Sequence, residues 1–236
     1  MPLYVAYYRR ALPRFRKARD LVADGALGTV TSVAYRLAGP YHRDVEAGRY
    51  HGINASSLPW RVQAQHAGGG LFLDLGCHTL DILDFVLGPL DEVRGHAANL
   101  RTPHFVEDSV AMSFRAACGA SGTAQWNFAS AERADEIVLS GDRAELRLST
   151  FGVEPLELRR NGEVERFDIV HPPHVEQPMI QSIVDELSGK GRCESTGTTA
   201  ARTSAVIDTV LSAYYGGRED GFWLRPETWP GRRVPL

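Results

Sequence analysis

Between Glu92 and Val170, seven short β-prone segments follow one another with almost nothing between them. They are 92–100 (EVRGHAANL), 108–116 (DSVAMSFRA), 122–130 (GTAQWNFAS), 136–141 (EIVLSG), 144–150 (AELRLST), 155–160 (PLELRR) and 163–170 (EVERFDIV). Turn residues separate them, among them Ala117-Cys118-Gly119, Gly141-Asp142-Arg143 and Asn161-Gly162. Such linkers make hairpins, so this is a run of antiparallel strands. Val110, Met112 and Phe114 alternate with polar neighbours, as do Trp126 and Phe128. One face of the sheet is therefore apolar and needs a cover.

The flanks are helical, with two further strands near the N-terminus. LYVAYY (3–8) reads as a strand, 14–24 as a helix stopped by Gly25, and TVTSVAYRLA (29–38) as an alternating strand. Residues 39–67 lack periodicity and read as a long loop, a common place for function. Two helices close the chain. One, at 174–188, carries Met179, Ile180, Ile183, Val184 and Leu187. The other, at 198–215, carries Ala205, Val206, Val210 and Leu211. A polar, Pro-rich tail follows. Strands segregated from helices give an α+β fold: a largely antiparallel open sheet with helices on one face.

The stretch GGGLFLDLGCHTLD, Gly68 to Asp81, carries the chemistry. Leu75, Ile82, Leu83 and Val86 form a core stripe. Asp74, His78 and Asp81 recur at steps of four and three, which stack on one helical face. That face admits three readings. It can simply meet solvent. It can hold a proton relay, with a carboxylate one turn before a histidine that titrates near neutral pH. It can bind a metal, since D-x3-H-x2-D offers nitrogen and oxygen donors.

Composition narrows the partners. A net charge of −3 gives no general polyanion surface, so nucleic acid is not expected. Three widely spaced cysteines fit a reducing compartment. No apolar run approaches a membrane span and the N-terminus lacks a signal-peptide core, so a cytoplasmic location is expected. Only Lys17 and Lys190 are lysines among 26 basic residues. The chain has no G-x-G-x-x-G, no P-loop, no G-x-S-x-G and no H-E-x-x-H.

GGGLFLDLGCHTLDILDFVLG closely resembles the signature of the Gfo/Idh/MocA oxidoreductases, the glucose–fructose oxidoreductase and inositol dehydrogenase family. YVAYYRRALPRFRKARDLVADGALGTV looks like that family's crossover between its two domains. Trp60-Arg61, Val106-Glu107-Asp108 and GDRAELRLS (141–149) match many members as well. The resemblance implies an oxidoreductase using NAD or NADP on a sugar or polyol hydroxyl. It assigns His78 the proton-exchanging role and Asp74 that of its carboxylate partner. Arg9, Trp60, Arg61 and Asp81 become candidates for the substrate pocket, with an Arg9–Asp81 structural pair as the competing reading. It also implies homo-oligomers through the sheet face.

Family members place a nucleotide-binding domain, with a Glu-Lys-Pro lysine near its end, before this stretch. Neither lysine here matches that motif. Residues 1–10 then read as a last-strand remnant of the nucleotide-binding domain, and 11–236 as the substrate-binding and oligomerisation domain. The alternative is a stand-alone, non-redox sugar-binding or oligomerisation protein.

Overall fold

The computed structural model describes residues 1–41, 58–102 and 104–232. Its centre is one eight-stranded sheet. The strands are β1 (Val30–Ala38), β2 (Leu90–Ala98), β3 (Ser109–Ala116), β4 (Ser121–Asn127), β5 (Ala134–Gly141), β6 (Glu145–Leu148), β7 (Leu156–Arg160) and β8 (Glu163–Phe167). Their order is β2-β3-β4-β1-β5-β6-β7-β8. The seven expected strands are all present and antiparallel to their sequence neighbours wherever they pair. β1 enters the middle of this meander, antiparallel to β5 and parallel to β4. The parallel pair is reached through the long connection after β1, which hairpin logic does not reveal. Asn161 and Gly162 both have positive φ (51° and 84°), the two-residue hairpin conformation this dipeptide favours.

The four principal helices are α1 (Pro13–Ala23), α2 (Cys77–Leu87), α3 (Gln177–Leu187) and α4 (Gly197–Tyr215). Pro13 starts α1, where its missing N–H costs nothing. Thr196 and Thr199 form a reciprocal capping box on α4. α1, α2 and α4 share the main core with the sheet. Val110, Met112, Phe114, Trp126 and Phe128, the apolar face read from sequence, lie in it. That face is thus covered within the chain. Among the described residues the opposite face is uncovered, polar and small-residued, with Ala34, Ala111, Ser113, Thr123 and Gln125 exposed.

Three expectations change. LYVAYY is no sheet strand: Tyr4 makes one bridge to Thr196, and Tyr8–Ala11 turns into a 3-10 helix. Its backbone is engaged instead at the approach to α4, where Val5 N–H donates to the Ser195 carbonyl and Gly197 N–H to the Leu3 carbonyl. The stripe on α3 is largely uncovered: Met179 is buried with Ala11 and Cys193, but Ile180, Val184 and Leu187 are 51%, 50% and 65% exposed. Ala205 on α4 is also exposed, Ile207 taking its place in the core. Finally, the tail is packed, with Phe222 and Trp229 buried against Tyr215. Of the expected loop 39–67, residues 42–57 lie outside the described residues. The rest includes a turn at Trp60–Val62 and a short helix at Ala64–Ala67. No helix among the described residues is long and apolar enough to cross a membrane.

Candidate active site

The Gly68–Gly70 run is explained by what it meets. A Cβ on Gly70 would lie 2.5 Å from the Glu107 carbonyl oxygen and 2.9 Å from its carboxyl group. The contact is close because Gly70 N–H donates to both Glu107 oxygens, each at 3.0 Å. Tyr215 O–H from α4 donates to the same carboxyl. Glu107 therefore ties the entrance of the signature helix to α4. Asp108 beside it accepts the backbone N–H groups of Leu100, Arg101 and Thr102. The Val-Glu-Asp signature is thus an anchor in this chain. Gly70→Ala is expected to destabilise by about 1–3 kcal/mol in denaturant unfolding, as overpacking does. Gly69→Ala, whose Cβ would meet nothing nearer than the Tyr215 hydroxyl at 3.5 Å, should cost less than about 1 kcal/mol.

The helix that follows does not begin as an α-helix. Phe72–Gly76 is a π turn, and α2 starts at Cys77. Phe72 is its anchor, stacked edge-on against Trp126 of β4 with centroids 4.8 Å apart. A π turn is a common local device at functional sites. Among the described residues, no hydrogen bond joins Asp74 to His78 Nδ1. Asp74 instead accepts from Arg61 Nε at 3.0 Å. The Arg61 guanidinium also lies 4.5 Å from the centre of the Trp60 ring. His78 Nδ1 is buried with no hydrogen-bond partner.

These residues still meet at one place. A cavity of about 320 Å³ is lined by Val5, Ala6, Tyr7, Trp60, Ala67, Leu73, Asp74, Cys77 and His78. That size is at the low end for small-molecule sites. Of the six residues singled out from sequence, Trp60, Asp74 and His78 line it, and Arg61 adjoins it through its two partners. Arg9 and Asp81 do not line it. Arg9 is buried, donates from Nε to the Thr150 carbonyl at 3.1 Å, and lies between the Tyr8 and Phe151 rings. Asp81 pairs with Arg10 rather than Arg9, accepting from Nε and Nη2 at 2.7–2.9 Å. Asp84 joins this buried network, shared by Arg10 and Arg202. Asp74, His78 and Asp81 therefore do not converge as metal donors. Among the described residues, no group of three His, Cys, Asp or Glu side chains is arranged to hold a metal.

The electrostatics favour neutral forms. Burial, reinforced by Arg9, pulls His78 down to about 4, so its ring is neutral at pH 7 and can accept a proton. Burial, and then Asp74, pushes the Cys77 thiol up to about 12, which keeps it protonated and poorly nucleophilic. Burial likewise raises Glu107 to about 7, against the pull of Tyr215 and the backbone.

Opposite stability slopes follow. Glu107 keeps its proton in the folded chain up to about 7, while an unfolded glutamate releases it near 4.5. The folded state binds more protons across that window, so this contribution falls as pH rises. For His78 the unfolded state binds more protons between about 4 and 6.5, so its contribution rises with pH. Asp81, raised by burial to about 6, has the sign of Glu107. Glu107→Gln removes one falling slope only. Its stability relative to wild type should climb from pH 4.5 to pH 7, by on the order of 3 kcal/mol over the full window. Parallel unfolding curves for the two proteins at every pH would show that Glu107 is ionised in the fold.

The fold is an α+β domain whose open sheet carries the glycine-run helix on one face. The family model described as GFO/IDH/MocA C-terminal domain matches residues 15–147, more than half of the chain, and the chain belongs to that family. It is similar to Oxidoreductase P35 of Formosa agariphila, 24% identical over 212 residues that make up 90% of this chain and 62% of the relative. The same architecture recurs in an oxidoreductase from Agrobacterium radiobacter solved with NAD+, L-tartaric acid and magnesium. That likeness has a TM-score of 0.73 at 19% identity and covers 90% of this chain and 62% of the other. Levoglucosan dehydrogenase, solved with NADH, gives a TM-score of 0.71 at 17% identity over 89% and 63%. The WlbA dehydrogenase from Bordetella pertussis, with NADH and UDP-GlcNAcA, gives 0.66 at 18% identity over 89% and 60%. This chain thus spans less than two thirds of the relatives it matches.

Proposed function

We propose that this chain is the substrate-side domain of an NAD(P)-dependent oxidoreductase acting on a sugar or polyol hydroxyl, with His78 and Asp74 as its proton relay. The observation that carries this reading is the cavity that brings Trp60, Asp74 and a neutral His78 together. The ligands of the similar structures support it at the level of class: levoglucosan in one case and a UDP-sugar in another.

Trp60 and Tyr7 offer flat faces suited to a ring, and the His78 ring suits a hydroxyl. The described cavity wall offers aromatic faces and the His78 ring, which suit the reacting end of a nicotinamide cofactor. When bound, that cofactor supplies hydride transfer at its ring. The chain's own part is proton handling. His78 takes the hydroxyl proton as the substrate carbon is oxidised, and returns it in the reverse direction. Asp74, with its side chain 32% exposed and held by Arg61, is the outlet to solvent. Arg9 and Asp81 support the site from behind the cavity wall. The small-residued free face of the sheet supports a homo-oligomer through that face.

Calorimetric titration of NADH, NADPH and a panel of hexoses and cyclic polyols into the 236-residue chain tests the reading. Saccharide binding that is lost in Trp60→Ala supports it. Saccharide binding that a nicotinamide cofactor never influences, in any longer protein carrying this chain, would favour the stand-alone, non-redox alternative. Failure of every saccharide to bind would overturn both.

A further inference from the structure

A second cavity shares a wall with the first. The stretch from Leu58 to Ala67 gives Trp60 and Ala67 to the His78 cavity. Its Leu58, Val62, Gln63 and Gln65 line another, of about 360 Å³, which has no lining residue in common with the His78 cavity. The other walls are the loop before β3, with His104 and Phe105, and the C-terminal tail, with Trp223, Pro226 and Trp229. That volume lies within the range of small-molecule sites.

Each wall is held by bonds of its own. Trp229 Nε1 donates to the Phe222 carbonyl at 3.0 Å, and its ring meets that of Tyr215 edge-on with centroids 4.7 Å apart. Tyr214 O–H donates to the Phe105 carbonyl, and Asn99 Nδ2 to the Val106 carbonyl at 2.8 Å. Gln65 Nε2 donates to Gln63 Oε1 at 3.1 Å, and Gln63 Nε2 to the Leu58 carbonyl. The described residues nevertheless leave large apolar groups uncovered in these walls. Leu58 is 41% and Phe105 44% exposed, and Trp223 is half-buried.

The lining decides what fits. It holds three aromatic rings and Pro226, but no Asp, Glu, Lys or Arg. A charged ligand would find no counter-charge there. The two amides disfavour a wholly apolar one. Each keeps a second N–H after the bonds above, and Gln65 Oε1 accepts none from the described residues. Covering those groups with hydrocarbon costs free energy. A neutral pyranose meets both demands: its C–H face stacks on the rings and its hydroxyls pair with the amides.

We propose that this cavity is a second saccharide site, which takes a neutral pyranose on Phe105 and the tail tryptophans and reads its hydroxyls through Gln63 and Gln65. It is separate from the His78 cavity and does not depend on the oxidoreductase reading of that cavity.

The test is an NMR titration of the methyl pyranosides of glucose, galactose, mannose and xylose into the isotope-labelled 236-residue chain. At least one should shift the indole N–H signals of Trp223 and Trp229 in a saturable way. Trp223→Ala should weaken that binding at least about tenfold, and Gln65→Ala about two- to tenfold. Gln65 is exposed on a short helix, so its variant gives a readout even where loss of Trp223 disturbs the tail. Trp60→Ala should leave these shifts in place. Unchanged affinity in both Trp223→Ala and Gln65→Ala would overturn the inference. Benzyl alcohol binding here when no pyranoside does would replace it with an apolar ligand. Pyranoside binding that shifts only Trp60 and vanishes in Trp60→Ala would also overturn it, while leaving the oxidoreductase reading intact. No tryptophan shift from any of the pyranosides up to about 100 mM would overturn it outright.

Discussion

Arg10→Met is expected to destabilise the fold by about 3–5 kcal/mol at pH 8, the cost of leaving a buried carboxylate without its cation. Arg10 is 5% exposed and Asp81 is fully buried. Among the described residues, every hydrogen bond from a cation to Asp81 comes from Arg10. Asp84 is better protected, since Arg202 donates to it twice at 2.7 Å. Even with its partner in place, burial holds the Asp81 carboxyl up at about 6. Without Arg10 it should stay protonated to still higher pH, so the loss should shrink on acidification through that range. Equilibrium urea unfolding at pH 8 and pH 5 measures both effects. The double variant Arg10→Met, Asp81→Leu should recover most of the loss, because an apolar pair can replace a buried ion pair. A loss below about 1 kcal/mol at pH 8 for the single variant would mean that water reaches Asp81.

His78→Ala carries the second large effect, on rate rather than stability. In an active protein carrying this chain, kcat should fall about 10²–10⁴-fold, the usual size of a lost general acid–base step. KM should change far less, because the ring gains its importance as the proton moves. The pH profile of kcat/KM should lose its lower limb, which reports the deprotonation of His78 near pH 4. Activity within about twofold of wild type would remove His78 from the relay. The structural cost should be modest, since one ring nitrogen already lacks a partner.

Much of this molecule is legible in the sequence because its contacts are local. Hairpins such as β7–β8 are written in their turns. Helix α4 is written in its cap and in Val206, Val210 and Leu211. What escapes is non-local. Nothing in TVTSVAYRLA says that it inserts beside β4, more than eighty residues downstream. LYVAYY has the pattern of a strand but pairs with the approach to α4 rather than with the sheet. The Arg9–Asp81 pair misses by one position: a 3-10 turn over Tyr8–Ala11 turns Arg10, not Arg9, toward Asp81. The role of Glu107 could be noticed only as a quoted signature, since its partners Gly70 and Tyr215 lie far apart in the chain.

The π turn at Phe72–Gly76 also changes how the D-x3-H spacing should be understood. A helix that winds through a π turn carries one residue more than its axis needs. That surplus works like a frame setting: it fixes the angular phase between everything before Cys77 and everything after it. The same segment one residue shorter would close into an α-helix and rotate its leading half by about 100°. Asp74 would leave the cavity while His78 stayed. A D-x3-H pair in sequence therefore does not by itself fix how the two side chains stand in space; the winding of the turn that carries them decides it.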